Sequence, residues 1–184
     1  FQSRQSVILH IAQWIAAHAV AEVLAGRNLT QALPQGMRKA AQATPQQQAA
    51  AQDYSYLTLR RYAEADALLQ ALTSRPLTDA RIRALLLVAL AQLLQQREDD
   101  FTVGNQAVEA AGKSKQRWAK GLVNAVLRNF VRQRAPLMAA LAEQPMLQYN
   151  MPTWWIDLLK QQYPQHWTSI LETGNQHPPM TLRV

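Results

Sequence analysis

Cysteine is absent from the 184 residues. That excludes a disulfide framework, a thiolate metal site and a cysteine nucleophile within the chain. Glycine is scarce, at six, and the nine prolines are dispersed, so collagen-like and linker sequence is excluded. No apolar run is long enough to span a bilayer. The most apolar stretch, residues 84–94, is interrupted by Gln92 and is too short for the roughly 20 residues a span needs. No signal peptide is evident, and Phe1-Gln2-Ser3 reads as the remnant of a tag-removal site. There is no glycine-rich phosphate loop, no Ser/His/Asp arrangement and no paired carboxylates in a recognisable setting. An active site within these residues is therefore not expected.

What remains is a globular composition: 48% apolar, 17% charged, with a mean hydropathy of −0.23. The length fits one domain with a small appendage. Such a chain buries about two thirds of its unfolded surface and needs no metal or disulfide staple. The net charge is +7, and its location says more than its size. Residues 113–134 hold Lys113, Lys115, Arg117, Lys120, Arg128, Arg132 and Arg134 and no acid. The rest of the chain balances, with 12 cations against 12 acids. One segment thus carries the whole excess, an electrostatic footprint for a polyanion.

Alanine, leucine and glutamine dominate, and the pattern predicts helix almost throughout. A first helix over residues 6–25 ends at Gly26. Asn28 opens a short second helix that Pro34 to Gly36 terminate. Thr44-Pro45 is a cap followed by proline at the first helical position. A long helical region then runs to about Thr73, with a bend expected near Asp53. Ser74-Arg75-Pro76 breaks it. Thr78 caps a helix whose Ile82, Leu85, Leu86, Ala89, Leu90 and Leu93 recur at helical spacing, and which is apolar on most sides. Glu98-Asp99-Asp100 is a charged loop, Thr102 caps a helix ending at Gly112, and Pro136 punctuates the basic segment before a last short helix to about Glu143. Residues 144–151 read as a linker, followed by helices over 152–162 and 164–173. Met180-Thr181-Leu182-Arg183-Val184 alternates like the opening of a β-strand. The expected organisation is an all-α bundle over residues 4–143, with a helical linker and the first strand of a truncated α/β region over 144–184.

On a helical wheel, Lys113, Arg117, Lys120, Arg128, Arg132 and Arg134 fall within an arc of roughly 160°, with Lys115 outside it. Trp118, Leu122, Val126 and Phe130 take the opposite arc, and Val123 and Leu127 add to the apolar set. The helix therefore buries one face and offers water a row of mutually repelling cations. That row either contacts nucleic-acid phosphates or is a solvated face neutralised by other helices. His10, His18, His166 and His177 show no ligand spacing, so solvent-facing or capping histidines are expected and no metal. Asp99-Asp100 reads as a solvated loop. Asn124 reads as a buried side chain satisfying a nearby loop, with contact to a base as the alternative. Trp154, Trp155, Tyr163 and Trp167 read as core, with base stacking as the alternative.

The run Lys120-Gly121-Leu122-Val123-Asn124-Ala125-Val126-Leu127-Arg128, preceded by Asn105-Gln106-Ala107-Val108-Glu109-Ala110-Ala111, resembles the signature of NusB-like helical domains. It is most similar to those that head the bacterial 16S ribosomal RNA cytosine-C5 methyltransferases (the Sun/Fmu family). Val23-Leu24-Ala25-Gly26-Arg27-Asn28-Leu29 and Ser74-Arg75-Pro76-Leu77 agree with it. Trp155-Ile156-Asp157-Leu158-Leu159, Tyr163-Pro164 and Asn175-Gln176-His177-Pro178-Pro179-Met180-Thr181-Leu182-Arg183-Val184 resemble the segment joining that domain to the methyltransferase body, whereas free-standing NusB antitermination factors end near the helical domain. Two departures stand out: residues 7–16 are apolar where the family's first helix has an arginine, and His177 replaces an expected arginine. The resemblance implies a cytoplasmic module that positions ribosomal RNA for its own C-terminal methyltransferase domain. A free-standing antitermination or protein-interaction factor is the alternative. It also implies S-adenosylmethionine as the whole enzyme's cofactor and a cysteine that adds to C6 of the target cytosine. This chain has no cysteine and no cofactor loop, so no cofactor, metal or membrane partner is expected of it. The residues expected to contact RNA are the seven cations of the basic segment.

Overall fold

The computed structural model describes residues 2–113 and 118–176. Among them the fold is all-α, as expected: α1 (Gln2–Leu24), α2 (Leu29–Lys39), α3 (Pro45–Arg60), α4 (Tyr62–Leu72), α5 (Ala80–Gln95), α6 (Asp100–Ala111), α7 (Ala119–Ala142), α8 (Pro145–Tyr149), α9 (Thr153–Gln162) and α10 (Trp167–Asn175). The expected strand at residues 180–184 lies outside the described residues.

Helix α5 is the axis of the bundle. Ile82 and every residue from Ala84 to Leu93 are buried, because α1, α3, α4, α6 and α7 surround it. A helix apolar on all sides is stable in water only when enclosed in this way. Within this shell runs a polar chain, buried at Gln13, Gln92 and Tyr54 and half-buried at Glu98. Gln13 of α1 donates to Gln92 Oε1 at 2.7 Å, Gln92 donates to Glu98 Oε2 at 3.2 Å, and Tyr54 of α3 donates to Glu98 Oε1 at 2.9 Å. Burial first, and then the Glu98 carboxylate, push the Tyr54 hydroxyl well above its ordinary pKa. It therefore remains a donor.

Several ends fall where the chain chemistry put them. Gly26 adopts φ +94, the left-handed conformation that closes α1. Gly26 N–H bonds to Val23 O and Arg27 N–H to Glu22 O, the paired bonds of a Schellman cap. Thr44 and Gln47 form a reciprocal capping box ahead of Pro45.

Other ends do not. Helix α2 runs through Pro34 and Gly36 to Lys39. Pro34 is exposed and loses one intrahelical bond, but Gly36 is buried so closely on α1 that an added Cβ would stand 3.1 Å from Ile15 O. Packing overrides the two breakers. The break in the α3–α4 region is at Arg61 (φ −112, ψ 21), not Asp53. A residue of the tail holds it: Asn150 accepts from Ala63 N–H at 2.7 Å and donates to Leu59 O at 3.2 Å, partnering one orphan group from each helix. The caps of α5 and α6 are Asp79 and Asp99, not Thr78 and Thr102. Asp79 accepts from the N–H groups of Arg81 and Ile82, and Asp99 accepts from that of Thr102; a carboxylate also suits the positive end of the helix dipole. Hydrogen bonding from Thr102, its side chain first and then its backbone N–H, holds the Asp99 carboxyl below its usual range. Residues 144–151 are not a bare linker but contain α8, whose Leu147 and Tyr149 are buried.

The tail builds a small second core from Tyr149, Ile156, Leu159 and Leu171, with Met151, Trp155 and Trp167 packed on it. Trp167 meets Tyr149 edge-on at 5.6 Å, and Lys160 lies 4.8 Å over the Trp167 ring. Trp154 and Tyr163, expected in a core, are 67% and 50% exposed.

Candidate nucleic-acid interface

Helices α6 and α7 run antiparallel. Val103, Ala107, Ala110 and Ala111 of one and Ala119, Val123, Val126, Leu127 and Phe130 of the other face the core. Of the apolar residues of the basic segment, Val123, Val126, Leu127 and Phe130 are buried and Leu122 is half-buried, while Trp118, just ahead of α7, is 47% exposed. Two cross-links join the helices near their ends. Lys120 Nζ stands 3.5 Å from Glu109 Oε1, and Arg134 Nη2 stands 2.7 Å from Asp100 Oδ1.

The seven expected cations have different fates. Lys115 and Arg117 lie outside the described residues. Lys113 is exposed but sits in the turn after α6, not on α7. Its charge, after burial, is the next largest cause holding His10 below its usual pKa. Lys120, Arg128 and Arg132 are exposed along α7. Arg132 donates to Asn129 Oδ1 at 2.8 Å. Arg128 has no ion-pair partner among the described residues.

Arg134 belongs to a different class, since on the wheel it falls between Val123 and Leu127, both buried. The kink at Gln133 (φ −108, ψ 17), one turn before Pro136, breaks the helical register just ahead of Arg134. Proline lacks the N–H to bond residue 132 and crowds its carbonyl. Arg134 then reaches Asp100 and Leu93 O, and its guanidinium lies 5.1 Å over the Phe130 ring. Its Nε is buried without a partner. Arg134 is tied into the bundle by these contacts. The same contact corrects the reading of Asp99-Asp100 as a solvated loop, since one carboxylate caps α6 and the other binds Arg134.

Between the two helices runs a groove of about 690 Å³. Phe101, Gly104 and Val108 line it from α6, and Gly121, Asn124 and Val131 line it from α7, with Lys120, Arg128 and Arg132 at its edge. Phe101 is 79% exposed. Asn124 is exposed in this groove and not buried, another correction. The sequence reading missed Phe101 and the groove. The available signal was an aromatic at the second position of α6, outside that helix's apolar repeat.

A second cationic cluster was also missed. His18 is buried with its Nε2 3.0 Å from Lys39 Nζ, so it is neither solvent-facing nor capping. Burial, then Lys39 and Arg81, hold it below the ordinary histidine pKa, so at neutral pH it accepts from the ammonium. Among the described residues no group of three His, Asp or Glu side chains is placed to hold a metal ion, and no helix is long and apolar enough to cross a membrane.

Comparison with known proteins agrees with this architecture. The model of the NusB family matches residues 2–132, and that of the Methyltr_RsmF/B-like ferredoxin-like domain matches residues 151–184. The chain is 37% identical over 172 residues to the ribosomal RNA small subunit methyltransferase B of Pseudomonas putida, covering 92% of this chain and 39% of that protein. The proteins of the same name from Pseudomonas syringae pv. tomato and Escherichia fergusonii are 37% and 35% identical, again over 92% of this chain and 38% and 39% of theirs. The chain therefore spans about two fifths of the length of these relatives.

Proposed function

The chain belongs to the NusB family, and from that premise we propose that it is the RNA-docking region of a small-subunit ribosomal RNA methyltransferase. The observation that carries the proposal is the exposed row Lys120, Arg128 and Arg132 on α7, with Lys113 at the adjoining turn, in a chain whose relatives are named for methylating ribosomal RNA. Exposed cations without buried partners position a phosphate backbone and do not by themselves read sequence. Residues 4–143 form the docking bundle on this reading, and residues 144–184 lead into the methyltransferase body. The match at residues 151–184 favours it over a free-standing antitermination factor. Ribosomal RNA as substrate implies a cytoplasmic location.

The residues present do not fit S-adenosylmethionine. The described residues hold no glycine-rich strand-to-helix turn of the kind that cradles such cofactors. The carboxylates beside the α6–α7 groove, Asp100 and Glu109, are paired with Arg134 and Lys120. The proposed role is therefore positioning.

The test is fluorescence anisotropy of labelled 16S ribosomal RNA fragments across a salt series. Four phosphate contacts, from Lys113, Lys120, Arg128 and Arg132, give a slope of log affinity on log salt of roughly −2.8 to −3.6. Replacing Arg128 and Arg132 together by alanine flattens it by about one to two units. A slope near zero for the unaltered chain overturns the proposal.

A further inference from the structure

Gly104 and Gly121 stand inside helices that line the same groove, one in α6 and one in α7. A glycine inside a helix weakens it relative to alanine unless its missing side chain serves a contact. At Gly36 the use is internal, because a Cβ there meets α1. At Gly104 and Gly121 a Cβ would meet nothing within 4 Å, and neither residue needs a left-handed backbone. The bundle does not require them. What they do is leave two stretches of backbone bare along one groove.

Beside them lie Phe101, 79% exposed, and Val131, 42% exposed. Large apolar side chains this open, in a groove with bare backbone, mark a binding surface. Cations outnumber acids along it. Lys120, Arg128 and Arg132 line it, and its own carboxylate, Asp100, is bound by Arg134. Asn124 adds an exposed amide with both a donor and an acceptor. An aromatic face, close backbone, one amide and flanking cations are the components that hold an unpaired nucleobase.

We propose that the α6–α7 groove takes one unpaired base of a single-stranded RNA segment, stacked on Phe101, with the flanking phosphates on Arg128 and Arg132. Asn124 faces the edge of the base. This rests on the RNA-docking reading and adds to it a preference for single-stranded over duplex RNA.

The experiment compares a labelled single-stranded oligoribonucleotide, the same strand with abasic positions, and its duplex, each titrated with the unaltered chain and with Phe101→Ala, Phe101→Tyr and Gly104→Leu. Thermal unfolding by circular dichroism confirms that each variant is folded. Phe101→Ala is expected to weaken single-strand binding about 5- to 150-fold, the range for one stacked base, with the salt slope unchanged. Phe101→Tyr restores binding, because it retains the ring. Gly104→Leu, one turn from Phe101 on the same helix, fills the groove beside the ring and reproduces the loss. Abasic RNA binds the unaltered chain as weakly as intact RNA binds Phe101→Ala, and the duplex responds to neither Phe101→Ala nor Gly104→Leu. Salt-dependent binding that is indifferent to Phe101, to Gly104 and to abasic positions overturns the base subsite and leaves the docking reading standing. No salt-dependent binding by the unaltered chain overturns both. Tighter binding of an acidic, aromatic-containing peptide than of single-stranded RNA, lost in the same variants, assigns the groove to a protein and overturns the RNA subsite.

Discussion

The two cross-links that tie α6 to α7 have the same chemistry and different surroundings. At one end, Arg134 and Asp100 are 25% and 33% exposed, 2.7 Å apart, with Leu93 O and the Phe130 ring as further partners of the guanidinium. At the other end, Lys120 and Glu109 are 49% and 54% exposed and 3.5 Å apart. The first is a packed corner that closes the bundle. The second is a loose surface pair of the kind that contributes little to stability. Between them, Arg128 has no ion-pair partner among the described residues. A row of like charges along one helix is therefore not one functional unit. Burial and the number of partners divide it into an arginine tied into the bundle and a set of exposed cations.

The largest effect that separates the two ends is expected from Arg134→Ala. It removes a charged hydrogen bond and a ring contact, and it strips Asp100 of its partner. Discounting for the quarter of the side chain that faces water, the loss is about 1–2 kcal/mol. For a chain of this size that lowers the melting temperature by roughly 2–8 °C, measured by circular dichroism. The RNA salt slope should change by less than half a unit. An unchanged melting point together with a flattened slope would place Arg134 among the phosphate contacts and collapse the distinction.

A smaller effect concerns a cation whose partner is not a carboxylate. Lys39 faces His18 at the packing of α2 on α1, with Arg27 and Arg81 nearby and Glu22 as the one acid among the groups that act on His18. The folded-state pKa of His18 is lowered, so the unfolded chain takes up its proton first. Stability from this site is complete above the ordinary histidine value near 6.5 and falls as the pH drops below it. His10 is lowered as well and contributes in the same direction. Denaturant midpoints at pH 7.5 and 5.5 should therefore differ, with the acid sample weaker. His18→Gln should reduce that difference without abolishing it. A protein more stable at pH 5.5 than at 7.5 would contradict the buried, neutral assignment.

The distinction between the two ends also marks how far the sequence could be read. The all-α class, the enclosed α5 and the glycine and threonine-proline ends of α1 and α3 follow from local chemistry, and local chemistry is written in neighbouring residues. The inward arc of α7 follows from its 3.6-residue period. What escaped depends on contacts between distant segments. Nothing near Arg61 announces a helix break, because the residue that holds it is Asn150. Pro34 and Gly36 read as terminators until α1 is seen packed against Gly36. Charge groups Arg134 with the other cations, although on an ideal wheel it stands roughly 120° from Arg128 and between Val123 and Leu127, both buried. Asn124 was read as buried from its apolar neighbours, yet the positions beside it in sequence, Val123 and Ala125, are not beside it on the helix surface. The groove was invisible for the same reason, since its two walls come from different helices and its shape is defined partly by side chains that glycine lacks.

The smallest effect is the sharpest test of the division, because it predicts a gain. If Lys120 is a loosely held surface cation, its partner Glu109 competes with RNA for it. Glu109→Gln removes that competition and one repelling charge while retaining the side chain's length. Stability should stay within about 0.5 kcal/mol, as for other exposed pairs. Affinity for ribosomal RNA fragments at low salt should rise by about twofold, since releasing a surface pair frees a few tenths of a kcal/mol. The parallel substitution at the packed end, Asp100→Asn, should lower the melting temperature and bring no such gain, because Arg134 remains held by Leu93 O and the Phe130 ring. Anisotropy titrations of the two variants side by side decide the matter. A gain at both ends would mean that Arg134 is released to the RNA as readily as Lys120, and a gain at neither would mean that the Lys120–Glu109 pair does not compete with the ligand.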